Sequence, residues 1–479
     1  MIGIARELGS RQNIDGSFPS DLDDTEHKAD PCIATSFSLM FLAKGRRPVV
    51  MAYLKSADAA APDFRRDSLF NLMGFLERSW GLELTYQELD LATASVEDLL
   101  ETPVLMLGAR EAPTYTAEEK KKLRGYVDRG GFIFASPSCL DGDFDQGFRA
   151  LMAEIFPEPD AKLRLLPADH SAWHAEAPVD PAYKHELWGI DTGCRTCVIY
   201  CPQDLACYWS LARVGRESSY SDVIRDRITT ARIIGLNVLA YATNRQVAAK
   251  NPQAQAPQLV ESKGERERGK LYLARLIHPG RCTATAAATS NLLRAAGAEF
   301  GIGAGAESRE VRPTDAELFD YHLIIMNGRT SFQFTAEERA GLRTYLERGG
   351  MLFVDSVCSS EAFTASFRRE LKAILPESEL SRIPTEHPLF TTKFGGVDLS
   401  SVSYREMSSE KTATPMKAII RAGEPQLEGI RFGDRYAVVF SPYDISCSLS
   451  AIEPLSCVGY VRADAVRIAI NVLLYSLRN

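Results

Sequence analysis

Nowhere in the 479-residue sequence does an apolar run reach the roughly 18 residues that a membrane-spanning helix needs. The longest candidates, ATSFSLMFLA (34–43) and IAINVLLYSL (468–477), have the length of core helices. There is no excess of basic charge either. Lys and Arg total 55 against 63 Asp and Glu, a formal charge of −8, which excludes the basic footprint of a nucleic-acid-binding surface. The first residues, MIGIARELGSRQ, lack the basic start, apolar stretch and cleavage site of an export signal. Taken as it stands, this start points to the cytoplasm; as the remainder of a longer protein it is compatible with export, so the compartment stays open.

The 10 cysteines lack the pattern of a disulfide framework, being scattered through a chain long enough to bury its own cores. They favour a reducing compartment. The densest group, Cys194, Cys197, Cys201 and Cys207, has neither paired knuckles nor histidines at ligand spacing. Cys197 lies inside the strand-like RTCVIY, whose alternation points neighbouring residues different ways. No metal and no cofactor are assigned.

What the sequence does contain is a repeat. Aligning Thr116 with Thr335 sets TAEEKKKLRGYVDRGGFIFASPSC over TAEERAGLRTYLERGGMLFVDSVC, with 12 of 24 positions identical. At the same offset Phe144 matches Phe363, Arg149 matches Arg368 and Pro157 matches Pro376. LPADH (166–170) then matches IPTEH (383–387), GCRTCVIYCPQDLAC (193–207) matches GDRYAVVFSPYDISC (433–447), and GLNVLAYA (235–242) matches AINVLLYS (469–476). The chain contains a duplicated domain.

Each copy alternates short apolar runs with helical patterns, the signature of a parallel sheet wrapped by helices. In the second copy KLYLARLIH, YHLIIMNG and MLFV read as strands, and ATAAATSNLLRAAGA as a helix. Another helix starts at Thr335, capped with Glu338 and closed by ERGG. In the first copy RRPVVMAYL, TPVLMLGA and GFIFA are the corresponding strands. The polar stretch 243–269 reads as a linker between copies spanning 47–242 and 270–479. Residues 1–46 show no strand pattern and end in one apolar helix.

Several ordered stretches resemble the domain of unknown function 4159 family: TPVLMLGA, LRGYVDRGGFIFA, FDQGFRALMAEIFPE, ELWGIDTGCRTCVIYCPQDLACYW, LRTYLERGGMLFVDSVCSSEAF and SPYDISCSL. The resemblance covers both copies, about residues 48–242 and 270–479. It implies two tandem α/β domains of flavodoxin-like fold, related to class I glutamine amidotransferases and to trehalose-utilisation (ThuA-like) proteins, whose His-Pro motif EHPLF (386–390) resembles. Gln12, Gly16 and Phe18 resemble the repeat motif of squalene cyclase and prenyltransferase α-toroids, so residues 1–46 are expected to be the remnant of a helical repeat.

In such a sheet, loops leaving the strands' C-terminal ends gather on one rim, where ligands bind. The repeated features expected there are Gly108 and Gly328, Cys139 and Cys358, His170 and His387, and Asp204 and Asp444. Together they offer a thiol nucleophile, an imidazole base and an oxyanion site in the loop of Gly328 and Arg329. Arg149 and Arg368, on the following helix, offer an anion clamp. Each has a plainer alternative: cysteine packs well at strand ends, histidine satisfies backbone groups, aspartate caps turns, and arginine is commonly solvated. The flanks SPSCLDG and DSVCSSE also lack the small residues of a nucleophile elbow. The leading expectation is therefore a non-catalytic binding or scaffolding protein for a small polar ligand such as a sugar, or for a protein partner. The alternative is a thiol-dependent hydrolase or amidotransferase-like enzyme using Cys358 or Cys139.

Overall fold

A computed structural model describes residues 10–18, 31–45, 47–54, 66–138, 141–158, 161–192, 195–213, 215, 219–245, 247, 271–280, 285, 287–300, 304–407, 414–450 and 457–478. Cys139, Cys194, Cys282 and nearly all of the expected linker lie outside these residues.

The first domain is a sheet of strands β1 (Val49–Leu54), β2 (Thr85–Leu89), β3 (Val104–Leu107), β4 (Phe132–Ala135), β5 (Arg164–Leu165), β6 (Trp188–Thr192) and β7 (Arg195–Tyr200) in the order β2-β1-β3-β4-β7-β6-β5. The first five in that order run parallel, and β6 and β5 add antiparallel at the edge. Counting only the parallel strands, the order is 2-1-3-4-5, the flavodoxin-like arrangement.

The second domain repeats it. Strands β8 (Leu271–Leu276), β9 (Ala304–Val311), β10 (Leu323–Gly328), β11 (Met351–Ser356), β12 (Ser381–Arg382), β13 (Val402–Met407), β14 (Ala418–Gly423), β15 (Glu428–Phe432), β16 (Arg435–Ser441) and β17 (Gly459–Tyr460) form two sheets. The larger has the order β12-β15-β16-β11-β10-β8-β9. The smaller, β14-β13-β17, is antiparallel and has no counterpart among the described residues of the first domain.

The continuous apolar runs follow from burial on both faces. In the first domain Val104, Met106, Phe132 and Phe134 face one layer with the helices Arg66–Trp80 and Asp222–Thr243. Leu105, Leu107, Ile133 and Ala135 face the other with the helices Ala117–Asp128 and Phe144–Ile155. The second domain alternates the same way, Ile325 and Phe353 against Ile324, Leu352 and Val354.

The repeated RGG has a local cause. Thr116 and Thr335 each cap their helix in a capping box with Glu119 and Glu338. Past the far ends, Gly130 and Gly349 take φ of 97° and 104°, a region open to glycine. At Gly131 and Gly350 a Cβ would come within 2.3 Å of the Tyr126 and Tyr345 rings. Those rings bury their hydroxyls on strand-end carbonyls: Tyr126 donates to Thr102 O at 3.0 Å, and Tyr345 to Tyr321 O at 3.0 Å.

The other repeated signature, NVL, is a latch. Asn237, buried in the first domain's last helix, accepts from the N–H groups of Glu176 and Ala177 and donates to the carbonyls of Trp173 and Ala177. Asn471 does the same for Val397 and Leu389. Both hold the loop that follows the repeated histidine. At the N-terminal end, Pro31–Gly45 is helical, and the Gln12 amide donates to Gly16 O at 3.0 Å. The domains touch where Met416 enters the first domain's core and its N–H donates to Ala175 O at 2.9 Å.

Candidate functional site

The rim of the second domain carries one of two pairs of consecutive left-handed non-glycine residues among the described residues, the other being Asn244 and Arg245. Strand β11 ends at Ser356, and the chain turns through Cys358 (φ 53°) and Ser359 (φ 52°) before the helix Glu361–Ile374. Two consecutive non-glycine residues in the left-handed region cost about 1–2 kcal/mol each and persist only where the surroundings hold them. Here the Cys358 N–H donates to Asp444 Oδ2 at 2.5 Å, and Ser359 Oγ donates to Val458 O at 3.0 Å. The Ser356 hydroxyl donates to Ser360 O across the turn.

Beneath the turn lies a buried polar floor. Asp355, second to last in β11, accepts from the Ile445 and Ser446 N–H groups and from Ser446 Oγ. Asp444 accepts the Cys447 N–H on Oδ1 and the Cys358 N–H on Oδ2. Both carboxylates are almost wholly buried. Burial pushes the Asp355 carboxyl up to about 6 against the three hydrogen bonds that oppose the rise. It raises Asp444 well above the usual carboxylate range, helped by the neighbouring Cys457 and Asp355. The strand Gly459–Tyr460 closes the floor from a third side. It pairs with Asp444, whose Cβ would lie 2.6 Å from a Cβ at Gly459, so only glycine admits this approach.

The structure brings Cys358 and Asp444 together, with Arg329 on the loop behind them: Ser360 Oγ donates to the Arg329 carbonyl. It does not bring His387 to Cys358. The His387 ring packs edge-on against Tyr436, second residue of β16, and Tyr475, and its Nδ1 accepts the Leu389 N–H. The expected imidazole base is therefore corrected to a structural histidine. The rim rule applies to loops leaving parallel strands, whereas His387 follows the antiparallel edge strand β12 and docks under the last helix. His170 repeats this placement: Nδ1 accepts the Ala172 N–H, Nε2 meets Thr196 Oγ1 at 3.0 Å, and the ring packs on Tyr241. Burial holds His170 neutral, its pKa lowered to about 4.

The expected oxyanion donors are also occupied, since the Arg329 and Thr330 N–H groups both donate to Gly280 O. Gly328 is glycine for space, because a Cβ there would sit 2.4 Å from the Phe363 ring. Gly108 likewise passes close to Ser136 O, and its carbonyl accepts from Tyr53 Oη at 2.6 Å. The two arginines expected as an anion clamp each face a carboxylate and an aromatic ring. Arg149 pairs with Asp145 and lies over Trp188, and Arg368 pairs with Glu428 and lies over Phe440. Asp204 caps the helix Leu205–Leu211 by accepting the Cys207 N–H at 2.8 Å.

Sequence reasoning missed Asp355 and Cys457, whereas His278, set where the first copy has Lys55 or Ser56, already marked the two rims as different. An acid ending the apolar run MLFVD, where the first copy has Ser136, was the available signal for Asp355. Cys457 has no partner in the repeat, so the repeat carries no signal for it. His278 lies two residues past β8, with Nδ1 accepting the Gly280 N–H and Nε2 on Asn327 O, among Phe332, Phe334 and Phe363. Burial lowers its pKa to about 4. Away from the rim, a cavity of about 340 Å³ opens on the first domain, lined by residues including Pro178, Val179, Thr230 and Ile233, with no thiol or imidazole in its wall.

The model of a domain of unknown function, DUF4159, matches residues 50–243 and again 272–477. The chain belongs to this family. No curated protein is significantly similar to it. Among solved structures, a flavodoxin from the domain Archaea is 12% identical over 22% of this chain and 74% of its own, with a TM-score of 0.16. The C-terminal domain of glucosamine-fructose-6-phosphate aminotransferase from Francisella tularensis is 9% identical over 74% of this chain and 80% of its own, at 0.15. A putative sugar binding protein from Salmonella typhimurium LT2 is 8% identical over 67% and 80%, at 0.17. Likenesses this remote carry no argument about this DUF4159 protein's ligand. Among its described helices none is long and apolar enough to cross a membrane.

Proposed function

We propose that this protein is a binding protein whose second-domain rim recognises a small polar ligand. One observation carries the reading: the half-buried Arg329, Cys358, Ser359 and Ser360 stand over a buried, hydrogen-bonded polar floor at the strands' C-terminal ends. Rigid support of this kind suits recognition, because little side-chain entropy remains to be lost on binding. The relation to amidotransferase-like and ThuA-like proteins, and the origin of residues 1–46 in a helical repeat, belong to the same proposal. Calorimetric titration of the full chain with sugars and sugar phosphates tests it. A saturable heat that Ser359→Trp abolishes supports the rim; a heat unchanged in that variant moves the site elsewhere.

A specific observation favours a second reading. Cys358 adopts a left-handed conformation between a strand and a helix, as a nucleophile elbow requires. Hydrolysis of glutamine or an activated ester that Cys358→Ala removes, without loss of folding, would establish a thiol enzyme and overturn the binding-only reading.

A further inference from the structure

The floor beneath the rim contains a grouping that packing alone does not account for. The thiols of Cys358, Cys447 and Cys457 and a carboxylate oxygen of Asp444 all lie within 4.8 Å of one another. Three of the four residues are buried and Cys358 is half-buried. Thiols alone would make an unremarked apolar cluster, but a carboxylate in their midst is costly to bury without a cation. The Cys358 and Cys447 sulfurs are 4.0 Å apart. A disulfide needs about 2 Å. Two sulfurs bonded tetrahedrally to one ion at about 2.3 Å stand about 3.8 Å apart.

We propose that Cys358, Asp444, Cys447 and Cys457 form a mononuclear site for a tetrahedral, thiophilic divalent cation of the zinc class, closed by four protein ligands. Soft thiolates select such an ion over magnesium or calcium. The surroundings fit a ligand set held in advance. The Cys447 and Cys358 N–H groups each donate to one Asp444 oxygen, fixing the carboxylate while leaving each oxygen a second lone pair. The left-handed turn at Cys358 is where the chain must bend to bring this sulfur inward. The pairing of Gly459 with Asp444 draws Cys457 alongside. Three thiolates and a carboxylate around a divalent ion leave a net charge of −2, and the buried Arg405, whose Nε donates to the Cys457 carbonyl at 2.8 Å, sets a cation next to it. Binding releases the thiol protons, so affinity rises with pH.

The ion would tie together the loop after β11, the loop after β16 and the segment before β17. The first copy repeats Cys139, Asp204 and Cys207, but residues 208–221 contain no cysteine to supply the fourth ligand. The site therefore belongs to the second copy, and it does not rest on the polar-ligand reading above.

The test is cobalt(II) titration of the full chain, stripped of metal by chelation under reducing conditions. Its readouts are the thiolate-to-cobalt charge-transfer absorption and the metal content by mass spectrometry. The expected result is one ion per chain, a band of three-thiolate intensity, and displacement by zinc(II). Cys447→Ser and Cys457→Ser should each weaken binding by at least about 100-fold, and Cys207→Ser should leave it unchanged. Because the band is also read in the unaltered chain, and should weaken in Cys358→Ser at a half-buried position, a core variant that fails to fold does not decide the matter. Absence of the thiolate band in the unaltered chain overturns the site. So does a band that survives undiminished in a folded Cys447→Ser or Cys457→Ser chain.

Discussion

The two copies keep the same frame and differ at the rim. At the strand end where the second copy has Asp355, the first has Ser136, whose hydroxyl donates to Gln203 O and accepts the Leu205 N–H. Asp444 is fully buried and accepts N–H groups from two loops; its counterpart Asp204 is half-buried and caps one short helix. Cys447 is buried, whereas Cys207 is half-buried. The second copy also has the added sheet β14-β13-β17, which delivers Gly459 and with it Cys457. Duplicated packing with an elaborated rim means that core residues and rim residues answer to different constraints. The latch asparagines, the capped helices and the paired glycines serve the fold in both copies. The buried carboxylates Asp355 and Asp444 and the buried thiols Cys447 and Cys457 are what sets the second copy's rim apart.

The sharpest way to break this comparison is to remove the proposed ion. Chelation should lower the stability of the second domain by about 4 kcal/mol, the linkage expected for an ion present at roughly 1,000 times its dissociation constant, and leave the first untouched. Two separated melting transitions that shift together would show that the domains do not differ in this respect. Next in size are the latches, where the copies should behave alike. Asn237→Ala and Asn471→Ala each strand buried backbone groups, and each should cost about 3 kcal/mol in chemical denaturation. A large loss in only one would mean the equivalence is superficial.

Acid distinguishes the domains more gently. The folded-state pKa of His170 lies below its unfolded value, so its contribution is present above about 6.5 and is lost as pH falls towards 4. Allowing for partial exposure, this costs the first domain about 2 kcal/mol. His278 loses its contribution over the same window, but Asp355, raised to about 6, takes up its proton early as pH falls and restores a comparable amount. Hydrogen exchange on the metal-stripped chain, read on the helices Asp222–Thr243 and Arg462–Ser476, should therefore show the first domain loosening alone between pH 6.5 and 4.5. Equal loosening would refute the assignment of opposing groups to the second. The smallest effect is expected at the surface, where Arg149→Ala and Arg368→Ala each remove one partly exposed ion pair and should cost under about 1 kcal/mol. Neither should change cobalt binding.

The frame was legible from residue order alone because its determinants are local. Apolar runs buried on both faces, a threonine and glutamate at a helix start, and a glycine pair past its end are short-range signals, and their repetition at a constant offset exposed the duplication. Membership of the DUF4159 family could be read for the same reason. The position of His387 could not, because a strand that joins the sheet antiparallel reverses which end its following loop occupies, and short strands such as Ser381–Arg382 leave little trace in sequence. The partners of Cys358 were equally hidden. Asp444, Cys447 and Cys457 lie 86, 89 and 99 residues further along the chain, and only the pairing of β11 with β16 and of Gly459 with Asp444 closes that distance. Sequence by itself determined two flavodoxin-like domains and which residues recur in both. Which of those residues face one another was decided by the crossings of the tertiary fold, since contacts between distant segments depend on strand order and direction rather than on any local preference.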